Sequence, residues 1–167
     1  MRSAKILIAL GFVVVAVLLQ TTVFQHFHPF GYAPALGVLA VIAVGRLVDA
    51  EPALFVAFTG GFVQDLLGGA PLGLWASSLT VVAFVTFKVR DREIAGPIAV
   101  LAGVFGLSIL GLLTFAVLGT LFGQSIINRP GFLGHLIVPA ALNTMLAYPV
   151  FWAAQVLLRP SERTWVA

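Results

Sequence analysis

One acidic residue, Asp65, stands inside a long apolar stretch, between Phe62-Val63-Gln64 and Leu66-Leu67. A carboxyl group in such surroundings is costly unless it is paired, hydrogen-bonded or used to handle a proton or ligand. The three histidines are the other candidates for chemistry. His26 and His28 have a His-x-His ligand spacing and His135 stands alone, but no acidic or thiol partner lies close to them in sequence, and metal centres need three or four ligands. The segment Phe24 to Phe30, which contains the first two, reads better as an aromatic belt at a membrane surface. There are no cysteines, so thiolate catalysis, disulfides and Cys-ligated metals are excluded. No paired carboxylates, Ser/His/Asp set, phosphate-binding glycine loop or HExxH motif is present. The expectation is a protein that is not an enzyme and has no metal or cofactor.

The elements that must position Asp65 follow from composition. The chain of 167 residues is 60% hydrophobic and 9% charged, with a mean hydropathy of +1.10, whereas soluble domains carry about 25% charged residues. Such a chain fits lipid, where only helices and closed barrels satisfy their backbone polar groups. Barrel strands would alternate apolar and polar residues; the unbroken apolar runs here predict an all-α polytopic membrane protein in one domain over residues 1–167. About six helices are expected, over residues 6–24, 33–48, 53–67, 71–87, 94–122 and 132–158. Arg2 and Lys5 before the first run also fit a secretory signal peptide, but no small-x-small cleavage site follows Gln20, so an uncleaved helix is expected. Pro34, Pro52 and Pro71 suit first turns, where the missing N–H costs nothing. Gly68 to Pro71 reads as a tight turn, and Lys88 to Glu93 as a solvated loop. The fifth run, about 29 residues or roughly 43 Å, exceeds a bilayer core. The sixth contains Pro139 and Pro149, which bend membrane helices. The second and third runs are near the lower length limit for spanning, so a re-entrant pair formed by the third and fourth is the alternative.

With six spans, Arg2, Lys5, Arg46, Lys88, Arg90, Arg92, Arg159 and Arg163 fall on one side and Arg129 alone on the other. This bias places both termini in the cytoplasm. It also explains the pI near 10.0 without nucleic acid, because the basic residues sit at helix ends rather than in a patch.

On the third run, Asp65 follows Ala53, Ala57 and Gly61 at four-residue steps, with Gly60 and Gln64 on the adjoining ridge. Small residues at this spacing let helices approach closely. A carboxyl in the last turn of a helix meets an unfavourable macrodipole, whereas the N–H groups near Gly73 and Leu74, at the start of the next helix, offer a favourable one. Asp65 is therefore expected to bind those N–H groups or a partner's cation. Gly119 and Gly123 form a GxxxG pattern that suits helix packing. Asn143, Thr144 and Gln155 are candidates for hydrogen bonds across helices.

The stretch from Ala53 to Leu74 closely resembles the signature of the MreD family of rod shape-determining membrane proteins. The matching positions are Gly60, Gly61, Asp65, Leu66, Gly69, Leu72 and Gly73. Leu18-Leu19-Gln20, the segment Gly31 to Leu36 and the run after Asn143 resemble other parts of that family. Ala35 departs from it, since an Asp or Asn usually follows the proline there. The resemblance implies a non-enzymatic scaffold of the bacterial cell-elongation machinery in the cytoplasmic (inner) membrane. It would bind MreC and belong to a complex with a RodA-type glycosyltransferase, a penicillin-binding transpeptidase and the MreB filament. The partner-binding or structural motif would be Gly60, Gly61, Gln64, Asp65, Gly69 and Gly73, with Ala53, Ala57, Gly119 and Gly123 in helix packing and the Gly/Ala faces of the third and fifth helices receiving partner helices. The family is similar in architecture to the S components of energy-coupling-factor transporters. A substrate-binding component of a small-molecule, vitamin-type transporter is therefore the alternative, its pocket lined by Trp75, Gln64, Asp65, Asn128 and Tyr32.

Overall fold

The computed structural model describes residues 2–23, 31–69, 71–90 and 96–158. Six helices follow one another: α1 Arg2–Thr22, α2 Leu36–Leu47, α3 Ala50–Gly68, α4 Leu74–Arg90, α5 Pro97–Leu121 and α6 Phe132–Leu158. The described residues contain no strand, and three helices, α1, α5 and α6, are long and apolar enough to cross a membrane. The all-α class expected for a membrane protein holds at that level.

The helices alternate in direction. One end of the bundle gathers Lys5, Arg46, Lys88 and Arg90, with Arg90 donating to the carbonyls of Gly45 and Val48 at the end of α2 (3.5 and 3.0 Å). The other end carries Gln20, Tyr32, Trp75 and Arg129. Its apolar girth faces outward: Ile98, Leu121, Leu133, Tyr148 and Trp152 are all more than 60% exposed, as suits a lipid-facing surface in which apolar side chains need no cover.

The centre is α2. Every residue from Leu36 to Gly45 is buried, and the helix packs against all five others. Apolar side chains all round a helix require cover on every side, and LGVLAVIAVG has no polar face. At 12 residues it is only about 18 Å long. The expected helix over 33–48 is thus too long: residues 32–35 have no regular secondary structure before α2 begins, and Pro34 precedes the helix rather than opening it.

Other boundaries also shift. α3 gains a turn at its start and takes in Pro52 and Gly68. Its C-cap is Gly69 in the left-handed region (φ +65°), a conformation that strains any residue with a Cβ. α4 starts at Leu74 instead of Pro71 and continues through Lys88 and Arg90, so the first half of the expected solvated loop is helical; residues 91–95 lie outside the described residues. Lysine and arginine in that last turn complement the helix dipole. At 17 residues α4 spans about 26 Å. α6 has the expected limits and runs on through Pro139 and Pro149.

Candidate functional site

Asp65 is 1% exposed, and its carboxyl group closes the α3–α4 hairpin. Oδ2 accepts from the N–H groups of Gly73 (2.9 Å) and Ala76 (3.2 Å), and Oδ1 from Trp75 (2.9 Å). The first N–H groups of a helix have no partner within it. One carboxyl, delivered from the neighbouring helix, satisfies three of them and meets the positive end of the α4 dipole. Of the two partners considered for Asp65, the observed one is the start of α4, through Gly73, Trp75 and Ala76 rather than Leu74.

The clamp requires α3 and α4 to touch backbone to backbone. A Cβ on Gly61 would lie 2.5 Å from the Trp75 carbonyl oxygen and 2.6 Å from Ala76 Cα. A Cβ on Gly60 would run into the Val13 side chain of α1. Ala53 and Ala57 are buried on the same side. The Gly/Ala face of α3 is therefore occupied by α1 and α4, and the expectation that it receives partner helices is corrected. Gly69 and Gly73 lie at the turn, both at positive φ. The GxxxG pattern on α5 also has a different use. Gly119 is covered by Ile126 and Gln124 of the following loop, and Gly123 lies beyond the helix at φ +84°. A residue outside the helix cannot continue its packing ridge.

A second polar cluster surrounds the start of α2. Its N-cap, Ala35, has no side chain able to accept from the first turn. Gln20 of α1 does so instead, Oε1 accepting from Gly37 N–H at 3.0 Å. Asn143 of α6 donates from Nδ2 to the Ala35 carbonyl (3.0 Å) and to Ser108 Oγ of α5 (3.1 Å). Gln64 packs against Gly37, where a Cβ would lie 2.6 Å from Gln64 Oε1. The carbonyl oxygens of Gln64 and Asn143 are buried without a partner among the described residues. Gln20 and Ser108 have roles here that the apolar pattern alone does not single out. Of the other expected cross-helix donors, Thr144 bonds within its own helix to Ala140, and Gln155 lines an apolar surface cavity.

A cavity of about 490 Å³ opens at this same end, between the α3–α4 turn, α5 and the loop before α6. Trp75 stacks on Phe115 (centroids 4.3 Å apart, 23° between planes) to form an aromatic wall. Gln124, Arg129 and His135 bring polar groups to it. Of the five residues expected to line a pocket, only Trp75 does. Gln64 and Asp65 are spent inside the bundle, Asn128 is an exposed loop residue, and Tyr32 packs edge-on against His135 (4.9 Å) and over Gly134. The described residues hold no group of three or more potential metal ligands. His135 is taken up by Tyr32 and the Gly131 carbonyl, and His26 and His28 lie outside the described residues.

No family model, curated protein or solved structure matches this chain.

Proposed function

We propose that this chain is a non-enzymatic integral membrane scaffold of the MreD type, serving the bacterial cell-elongation complex from the cytoplasmic membrane with its arginine-rich end inward. It binds MreC there and, through it, a RodA-type glycosyltransferase and a penicillin-binding transpeptidase. The observation that carries this reading is the Asp65 clamp. The one acid within the apolar runs, in the segment that resembles the MreD signature, is held by three backbone N–H groups. A carboxyl held in this way fixes the shape of a hairpin, and it is buried away from the cavity beside Trp75. A rigid body with short connections and a broad apolar girth suits a protein whose product is an assembly. With the α3 face filled, the outward faces of α5 and α6 supply the surface for partner helices. The test is affinity purification of the full chain in mild detergent from its native membrane. Recovery of MreC-like and RodA-like proteins supports the scaffold, and recovery of an ATPase pair with a transmembrane coupling subunit overturns it.

The cavity beside Trp75 favours the second reading, a substrate-binding component of a vitamin-type transporter. Its volume falls within the range of about 300–1,000 Å³ usual for ligand sites, and aromatic and polar groups converge on it. A small aromatic ligand that co-purifies with the chain and is lost in Trp75→Ala would establish that reading.

A further inference from the structure

We propose that the cavity beside Trp75 binds a small planar aromatic carboxylic acid, its ring against the Trp75–Phe115 wall and its carboxylate on Arg129. The site rests on the cavity that favours the transporter reading and deepens that reading by naming the class of ligand. A scaffold could carry the same site for a small regulator.

The cavity is apolar in its depth and polar at its mouth. Its lining on α5 reaches in to Leu112, nine residues before the helix ends at Leu121, or about 13 Å along the axis. Ala116 and Leu136, both buried, line the same interior. Trp75, Phe115 and Phe132 add three rings to the wall. Trp75 is fixed from behind, because its backbone N–H donates to Asp65 Oδ1 (2.9 Å) while its ring stacks on Phe115. The loop after α5 is fixed as well. Gln124 N–H donates to the Gly119 carbonyl (2.8 Å), Arg129 N–H donates to the Ile126 carbonyl (3.3 Å), and the Ile126 side chain covers Gly119. This folding back sets Gln124 and Arg129 at the cavity.

The polar groups define the occupant. The Trp75 indole N–H and the side chains of Gln124 and Arg129 make no hydrogen bond or ion pair among the described residues. Donors therefore outnumber acceptors, and one of them is a cation. No lining residue is acidic. Asp49 and Glu51 stand between α2 and α3, Asp91 and Glu93 between α4 and α5, and Glu162 follows α6, all at ends of helices opposite the cavity. Asp65, the remaining acid, is buried and met by three N–H groups. Residues 24–30 and 70, which lie outside the described residues, contain no acid. The cation thus has no counter-charge within the chain at this end, and a ligand anion supplies one. The planar guanidinium fork matches a carboxylate. Aromatic walls favour a flat ring, which also loses less freedom on binding than a flexible acyl chain of equal area.

The test is equilibrium dialysis of the full chain in phosphatidylcholine nanodiscs, with empty nanodiscs as the background. The probes are benzoate, 2-naphthoate, the neutral 2-naphthamide and the aliphatic decanoate. One aromatic acid per chain is expected, with naphthamide and decanoate at least tenfold weaker. Arg129→Gln is expected to weaken naphthoate about tenfold or more, the scale of one hydrogen bond to a charged group, and to leave naphthamide unchanged. Gly68→Leu keeps the charge and projects into the cavity from a position where a Cβ meets nothing within 4 Å. It is expected to abolish binding without lowering the melting temperature of the ligand-free protein. No saturable binding of either aromatic acid, equal binding of naphthoate and naphthamide, or naphthoate binding unchanged in both variants overturns the proposal. Decanoate binding as tightly as naphthoate makes the cavity an acyl-chain site and overturns it too. Because no partner is present in the nanodiscs, these outcomes are separate from the partner recovery that decides between scaffold and transporter.

Discussion

Helix α4 has two neighbours and treats them differently. Against α3 it is closed along the hairpin: glycine removes the side chains at the crossing, and a carboxyl ties the end. Against α5 it touches at a waist, where Gly111 meets Val82, and cavities open on both sides of that contact. Both interfaces are rich in small residues, so small residues alone do not make a tight interface. Gly61 works because backbone faces it. Gly103 faces nothing. The closed interface gives the bundle its shape, and the open one leaves a cavity on each side of the waist.

The largest effect should come from breaking the closed side. Asp65→Leu strands three N–H groups at the start of α4 and is expected to cost about 3 kcal/mol or more, since each buried unsatisfied group costs about 1–3 kcal/mol. Asp65→Asn keeps one acceptor oxygen and the shape, and should lose about 1–2 kcal/mol. Thermal unfolding in one detergent compares them, and a loss from Asn as large as that from Leu would mean that shape and partial bonding do not matter.

A smaller effect is expected from adding one methyl group on each side of α4. Gly61→Ala drives Cβ into the Trp75 carbonyl and should cost about 2 kcal/mol, as overpacking against backbone does. Gly103→Ala should be neutral or stabilising by up to about 1 kcal/mol, because alanine favours helix and meets no neighbour. Equal effects would dissolve the distinction between the interfaces. Gly111→Ala lies between these two. Its new Cβ meets only the Val82 methyl and Val38, which can turn aside, so a loss of about 1 kcal/mol is expected.

Much of this was legible in the order of residues. The limits of α6 follow from its apolar run, and Asp65 was drawn to the start of α4 by the opposed ends of two helix dipoles. Failures came where distance along the chain had to stand in for direction. Gly119 and Gly123 have the spacing of a packing ridge, but the helix ends between them. Gln64 and Trp75 both lie toward the same end of the bundle, and periodicity does not say that one faces Gly37 and the other a cavity. The apolar pattern predicts a longer α2 because Ala33 to Ala35 is as apolar as a helix; the Ala35 carbonyl is met there by Asn143, more than a hundred positions away. The small residues on that face of α3 do mark a place of close approach, and the approaching helices, α1 and α4, are the chain's own.

The two side chains that complete α2 impose an order on synthesis. Gln20 is made before that helix, and Asn143 long after it. When α2 first leaves the ribosome Gln20, the partner of its Gly37 amide, is already made, but the Ala35 carbonyl has no partner until α6 arrives. The second helix must therefore wait, lodged among whatever the insertion machinery and the earlier helices provide, and a chain cut short before position 143 never finishes its own centre.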